Sequence, residues 1–137
     1  MKKIILFLLF FCMFSCKKAA INEVDGLYNV TGEIVRCSYY YCDTTLINSV
    51  FWVRDRKDNS TISVSYFDSI INEYEKLGHL EFENMTPKEI IFTVSSQTSK
   101  LKIDKETNFL NYYRYINNDE QLEDTVSRYI RLEGYKQ

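Results

Sequence analysis

The chain has 137 residues, with 17 Lys and Arg against 19 Asp and Glu, and its formal net charge is −2. This length fits one domain built around one hydrophobic core. The mildly acidic balance argues against nucleic acid and anionic lipid as partners, because both attract proteins with an excess of Lys and Arg. The 11 tyrosines, together with frequent Val, Ile and Thr, favour a strand-rich fold.

Residues 1–15 have the layout of a secretory signal peptide. Two lysines precede an apolar run over residues 4–14, and the small residue Ser15 follows that run. The run is too short to span a bilayer comfortably, since a spanning helix needs roughly 20 apolar residues. Cys16, directly after such a cleavage site, resembles the lipid-attachment cysteine of bacterial lipoproteins. The alternatives are an ordinary signal peptide cleaved near Ser15 and an uncleaved membrane helix.

The lipoprotein resemblance implies how the chain is divided and where it works. Residues 1–15 are then the signal peptide, residues 16–25 the lipidated N-terminus and a short tether, and residues 26–137 the folded domain. Cys16 becomes the first residue of the mature protein and carries acyl chains such as palmitate; two such chains give stable anchoring. The predicted location is the bacterial cell envelope, at the outer membrane, and the membrane is a predicted partner through the lipid.

The remaining cysteines predict a disulfide. Cys12 leaves with the signal peptide, and Cys37 and Cys42 remain, with four residues between them, in an oxidising compartment. That spacing suits a cross-link at the neck of a hairpin loop. A metal pair is the competing interpretation, but a zinc site needs four ligands and His79 is the only histidine. A redox pair is more often spaced Cys-x-x-Cys.

Alternating apolar and polar residues predict about eight strands joined mostly by short polar turns. The alternation is clearest where Ile62, Val64 and Tyr66 alternate with Thr and Ser. The predicted strands cover residues 28–34, 46–53, 61–66, 80–83, 90–94, 101–103, 109–116 and 126–132. Sequential antiparallel strands at this spacing predict an all-β fold, either an up-and-down barrel or a two-sheet sandwich. The opening Gly26-Leu27-Tyr28 resembles the start of lipocalin-like barrels found in small bacterial lipoproteins.

Residues 68–78 interrupt the strand pattern. Asp68 can cap a helix and Gly78 can end it, so one short helix is predicted between the third and fourth strands. The residues that share its apolar face are Ile70, Ile71, Tyr74 and Leu77.

No motif in the chain names a reaction. Any Ser-His-Asp or Cys-His site must use His79, which follows a glycine in a predicted turn, and there is no G-x-S-x-G sequence. Phosphate-binding and calcium-binding loops are absent from the sequence as well. We therefore predict a protein that is not an enzyme and that uses no cofactor and no metal.

Tyrosines supply the candidate contact residues. Tyr39, Tyr40 and Tyr41 lie inside the predicted disulfide ring, which is too small to bury them, so they form a candidate contact surface. A second aromatic set is predicted to line or fill the interior: Trp52, Tyr66, Phe92 and Tyr113.

Three hydroxyl residues follow an aspartate in patterns that resemble the sites of a bacterial O-glycosylation system. These residues are Thr44, Ser69 and Thr125.

Three function classes remain open. The first is a membrane-anchored, non-catalytic binding module for a small apolar ligand or a glycan, which requires a cavity. The second is a protein-interaction module, such as an envelope enzyme inhibitor, an immunity protein or an envelope-complex subunit, which requires a filled core and an exposed tyrosine loop. The third is a hydrolase, which requires two carboxylates facing a sugar. We expect the first.

Overall fold

A computed structural model describes residues 16–38, 40–58, 60–69, 72–94, 98–117 and 127–137. Within them, eight antiparallel strands pair in sequence order, and the last pairs with the first to close an up-and-down barrel. The strands are β1 (Gly26–Cys37), β2 (Cys42–Asp55), β3 (Thr61–Asp68), β4 (Glu73–Met85), β5 (Glu89–Thr93), β6 (Ser99–Asp104), β7 (Phe109–Asn117) and β8 (Ser127–Lys136). The all-β prediction is confirmed, and of its two forms the barrel is the one observed.

The barrel interior is packed with side chains from alternate positions of the strands, as the period of two requires. In β1, for example, Tyr28, Val30 and Ile34 are buried, and the rings of Phe51 and Tyr112 pack with centroids 5.2 Å apart. Each fully buried apolar side chain contributes roughly 1.5–3 kcal/mol to folding. The largest fully buried side chains are Tyr28, Tyr112, Phe51, Phe92, Ile21, Ile34, Ile62, Leu80, Ile90, Leu101, Leu110 and Ile130.

A helix over residues 16–24, here α1, precedes β1 and covers one end of the barrel. Ala20, Ile21 and Val24 are buried there, and the hydroxyl of Tyr28 donates a hydrogen bond of 2.7 Å to the Val24 carbonyl. Lys136 Nζ donates to the carbonyl of Glu23 at 2.7 Å. The prediction of a tether over residues 16–25 is therefore wrong, because the apolar face of α1 is part of the core.

The predicted helix between the third and fourth strands is wrong. β3 continues to Asp68 and β4 already begins at Glu73, while Ile70 and Ile71 lie outside the described residues. A β-bulge lies in the region of the predicted helix, because the pairing register of β3 and β4 slips by one residue at Leu77. Of the predicted apolar face, Tyr74 is 41% exposed and Leu77 is buried, so these two residues do not share a face in β4.

Two ladders of the barrel are incomplete over the described residues. β4 pairs with β5 only from Glu81 onward, so residues 73–80 have no ladder partner on that side. β2 pairs with β3 only from Phe51 onward, so the preceding part of β2 pairs with β1 alone. Both open stretches lie toward the end of the barrel opposite α1, and they determine where grooves can form.

Candidate functional site

The hairpin of β1 and β2 ends in the predicted disulfide. Cys37 and Cys42 are directly opposite each other in the ladder and are bonded, which confirms the pairing. The Ser38 hydroxyl accepts hydrogen bonds from the backbone N–H groups of Tyr40 and Tyr41, each at 3.2 Å, and so shapes the loop. Tyr40 is 95% exposed and Tyr41 70% exposed. Their role as a contact surface stays a prediction.

Tyr39 and Thr125 lie outside the described residues. Thr44, on β2, and Ser69, just after β3, are exposed, so both hydroxyls are accessible to a modifying enzyme. Their glycosylation stays a prediction. The thiol of Cys16 is free and half-buried in α1, and its lipidation also stays a prediction.

The four aromatic residues predicted for the cavity or core divide between the two sides of the barrel wall. Phe92 is fully buried and Tyr66 nearly so. Tyr113 is 38% exposed and Trp52 is half-buried, so the prediction is wrong for these two. The reason is strand parity, because their neighbours Tyr112 and Phe51 take the inward positions.

A polar cluster lies inside the barrel at the end opposite α1. The Tyr66 hydroxyl donates to Glu75 Oε2 at 2.5 Å, and Arg128 Nη2 donates to Glu75 Oε1 at 3.2 Å. Burial, and then the hydrogen bond to the Glu75 carboxylate, raise the pKa of Tyr66 to about 12. The charges of Glu75 and Arg128 compensate each other, so we interpret this cluster as a structural ion pair. The sequence did not predict this cluster, because Glu75 lies in the segment wrongly predicted to be a helix.

A groove with a volume of about 470 Å³ crosses the outer wall over β2, β3 and β4; we call it the aromatic groove. The rings of Trp52 and Tyr74 lie 5.6 Å apart along it, and the Arg54 guanidinium lies 4.6 Å from the centre of the Trp52 ring. The residues that line the groove are Trp52, Arg54, Arg56, Ser63, Val64, Ser65, Tyr74, Lys76, Leu77, Gly78, His79 and Arg114.

A second groove, of about 390 Å³, lies beside the unpaired part of β4 and extends to β6 and β7. It shares Leu77, Gly78, His79 and Arg114 with the aromatic groove, so the two grooves meet there. A Cβ atom added to Gly78 would lie 3.6 Å from Arg114 Nη1. Gly78 has a φ of 132°, a backbone conformation that residues with a side chain rarely adopt. The bulge and this glycine together bring β4 close to Arg114.

The charge of the grooves is one-sided. Arg54, Arg56, Lys76, His79 and Arg114 line them, and the described lining of both contains no carboxylate. Arg56 lies 3.9 Å from Asp58, a surface pair that holds it weakly. Across the described residues, no carboxylate lies within 4 Å of Arg54, Lys76 or Arg114. A cationic patch has therefore formed on a protein of net negative charge.

The grooves lack the parts of a hydrolytic site. Ser63 and His79 are opposite each other in the ladder, but the Ser63 hydroxyl donates to the Arg54 carbonyl, at 3.4 Å. The described lining holds no acid to orient His79, which a Ser-His-Asp site needs. In the part of the chain that the structure describes, no group of three or more His, Cys, Asp or Glu is placed to hold a metal ion.

Comparison of the chain with protein-family models, curated proteins and solved structures finds no match. The resemblances to bacterial lipoproteins and to lipocalin-like barrels therefore stay predictions. Within the described residues, no helix is both long and apolar enough to cross a membrane.

Proposed function

We propose that this protein is a membrane-anchored, non-catalytic module that binds a glycan in the aromatic groove. The observation that carries the proposal is the pairing of two aromatic rings, Trp52 and Tyr74, with hydroxyl and cationic side chains in one open groove. Aromatic rings offer flat apolar faces to sugar rings, and the surrounding polar groups can bond to sugar hydroxyls.

The packing of the barrel favours a glycan over a small apolar ligand. An apolar ligand needs an enclosed cavity lined by apolar side chains. The described interior is instead one continuous hydrophobic cluster, which α1 completes with Ala20, Ile21 and Val24. The groove lies outside this core, where a ligand with many hydroxyl groups stays hydrated on its open side.

The position of Cys16 is consistent with an anchored module. Cys16 belongs to α1, and α1 covers the end of the barrel opposite the disulfide loop. Acyl chains on Cys16 would hold that covered end at the lipid surface. The groove on the barrel side and the loop beyond it would then both face away from the lipid.

Trp52 makes the proposal directly testable, because it is the only tryptophan of the chain. Its fluorescence therefore reports on the aromatic groove alone. We expect oligosaccharides from a panel of neutral and charged glycans to change this fluorescence saturably. Tyr74→Ala should weaken the binding at least about tenfold, by removing one ring contact. Tyr135→Ala is the matched control, because Tyr135 is an exposed tyrosine on β8 away from the groove.

Two results would contradict the proposal: no glycan changes the Trp52 signal, or Tyr74→Ala and Tyr135→Ala behave alike. The anchor has its own test. Mass spectrometry of the protein from its host membrane should detect acyl chains on Cys16, and Cys16→Ala should move the protein to the soluble fraction.

Protein interaction is the second candidate function, and the exposed hairpin favours it. Tyr40, Tyr41 and Leu46 are all strongly exposed, with Leu46 at 82%. Large exposed apolar side chains on one element mark a contact surface. If this function holds, a second polypeptide should co-purify with the native protein, and Tyr40→Ser with Tyr41→Ser should release it. Tyr135→Ser serves as the control.

A further inference from the structure

The geometry points to an anion-binding subsite in the aromatic groove, with Arg114, where the two grooves meet, and Lys76, the neighbour of Leu77 on β4, as its binding residues. The inference rests on the proposed function and deepens it: the glycan carries a carboxylate or phosphate group, and this group occupies the subsite. Nothing in the sequence pattern indicates such a site, because Lys76 and Arg114 come from strands that are far apart along the chain.

The charges that line the two grooves are unbalanced. The described lining of the two grooves holds three arginines, a lysine and a histidine and no carboxylate. The whole chain has more acidic than basic residues, so a random part of its surface would carry carboxylates. Like charges brought together repel one another, which costs stability unless an anion compensates them. An anionic group of the ligand would compensate the charges of the described lining.

Two arginines on neighbouring strands differ in whether a described carboxylate lies beside them. Arg128, on β8, is partly buried and has Glu75 as its counter-ion at 3.2 Å. Arg114, on β7, is also partly buried, yet no carboxylate lies within 4 Å of it in the described part of the chain. A partly desolvated guanidinium without a counter-ion is unfavourable. Its planar donors match carboxylate and phosphate oxygens, which it can bind in a bidentate way.

Arg114 is accessible to a ligand from the grooves. β4 has no ladder partner over residues 73–80 on the side that faces the second groove. Gly78 has no side chain that could cover Arg114, and Arg114 lines both grooves. An anionic group can thus approach Arg114 while the sugar ring that carries it lies against Trp52 and Tyr74 in the same groove.

The experiment compares four probes on the full-length protein in detergent. They are a neutral oligosaccharide, the same oligosaccharide with a uronic acid, a sugar phosphate and inorganic phosphate, each titrated by calorimetry and by Trp52 fluorescence. We expect the charged sugars to bind at least about tenfold more tightly than the neutral one, as a charge-assisted hydrogen bond allows. This preference should decrease as the salt concentration increases.

Variants assign the preference to the subsite. Arg114→Gln should abolish the preference for charged over neutral sugars, and Arg114→Lys should keep part of it. Arg131→Gln is the matched control, because Arg131 is an exposed β8 arginine outside both grooves. Circular dichroism confirms that each variant is folded. If Arg114→Gln does not fold, Lys76→Gln, a change at an exposed position, and the salt dependence of the native protein carry the test.

The outcomes separate the subsite from the glycan proposal. Equal binding of neutral and charged sugars overturns the subsite and leaves the glycan proposal standing. Binding of inorganic phosphate as tight as that of the sugar phosphate supports the subsite and overturns the glycan. Binding of no probe overturns both. An unchanged preference in Arg114→Gln overturns the assignment to Arg114.

Discussion

Replacing Tyr112 by Phe should stabilise the barrel, although it removes a polar group from a tyrosine-rich core. The Tyr112 side chain is fully buried, and its hydroxyl has no hydrogen-bond partner among the described residues. The Ser99 hydroxyl lies close to it, but no bond of normal geometry joins the two. Burying a hydroxyl without a partner costs about 1–3 kcal/mol, so its removal should raise the free energy of unfolding by about that amount.

Tyr66→Phe is the matched variant and should have the opposite effect. The same atom is removed from another buried tyrosine, but the Tyr66 hydroxyl donates to Glu75 at 2.5 Å. Its loss leaves one oxygen of a partly buried carboxylate without that donor. We expect the free energy of unfolding to fall by about 1–2 kcal/mol. Urea unfolding at pH 7, followed by circular dichroism, measures both changes.

Tyr112→Phe should also differ from the native protein in how its stability changes at high pH. Burial raises the pKa of Tyr112 to about 12 in the folded protein, whereas an unfolded tyrosine titrates near 10. Because the folded pKa is the higher one, the stability that this group contributes is complete below pH 10. It is lost as the pH rises toward 12. At pH 11 the native protein should have lost about 1.4 kcal/mol through Tyr112, and Tyr112→Phe should not lose this amount.

Two results would refute this reasoning. The first is that Tyr112→Phe and Tyr66→Phe change the stability at pH 7 in the same direction. The second is that Tyr112→Phe loses stability between pH 10 and pH 11 as steeply as the native protein. The first result would mean that hydrogen bonding does not distinguish the two buried hydroxyls, and the second that burial does not raise the pKa of Tyr112.

Three further sets of substitutions test what stabilises the barrel, and urea unfolding measures the effect of each. Gly134→Ala should cost more than about 3 kcal/mol or prevent folding, because its Cβ would lie 1.8 Å from a backbone oxygen of β1 where the barrel closes. Joint replacement of Cys37 and Cys42 by Ser should cost about 2 kcal/mol and leave Trp52 fluorescence unchanged. Glu75→Gln should cost about 1–2 kcal/mol, since Arg128 then keeps a partly buried charge without a counter-ion.

Most of the barrel architecture could be predicted from local sequence patterns. Alternation located the strands, and the turn residues between them predicted short connections, because both signals depend on neighbouring residues alone. The disulfide followed from the spacing of Cys37 and Cys42, which are cross-strand neighbours of the first hairpin. The helix prediction failed because the spacing of Tyr74 and Leu77 fits one helical face, whereas in β4 Tyr74 is exposed and Leu77 is buried at a bulge, which only the pairing with β3 locates.

Strand parity shows a second limit of sequence reasoning. Residues 50–53 are apolar at every position, so hydrophobicity cannot decide whether Phe51 or Trp52 faces inward. The pairing of Phe51 with Tyr28 and with Tyr66 decides it, since both partners are buried. Trp52 therefore lies on the outside, and a residue predicted for the core becomes part of the aromatic groove.

The grooves were beyond prediction because their charge depends on how distant strands are placed together. Arg54, Lys76 and Arg114 belong to β2, β4 and β7; Asp55 follows Arg54 and Glu75 precedes Lys76, whereas β7 contains no acidic residue. Along the chain these charges average to a mildly acidic protein, which argued against nucleic acid and anionic lipid as partners. In the barrel, the shift of β4 at Leu77 and the gap in its ladder bring the cations together without the acids. The net charge therefore restricts the partners of the whole surface, while a single bulge can create a local site of the opposite preference.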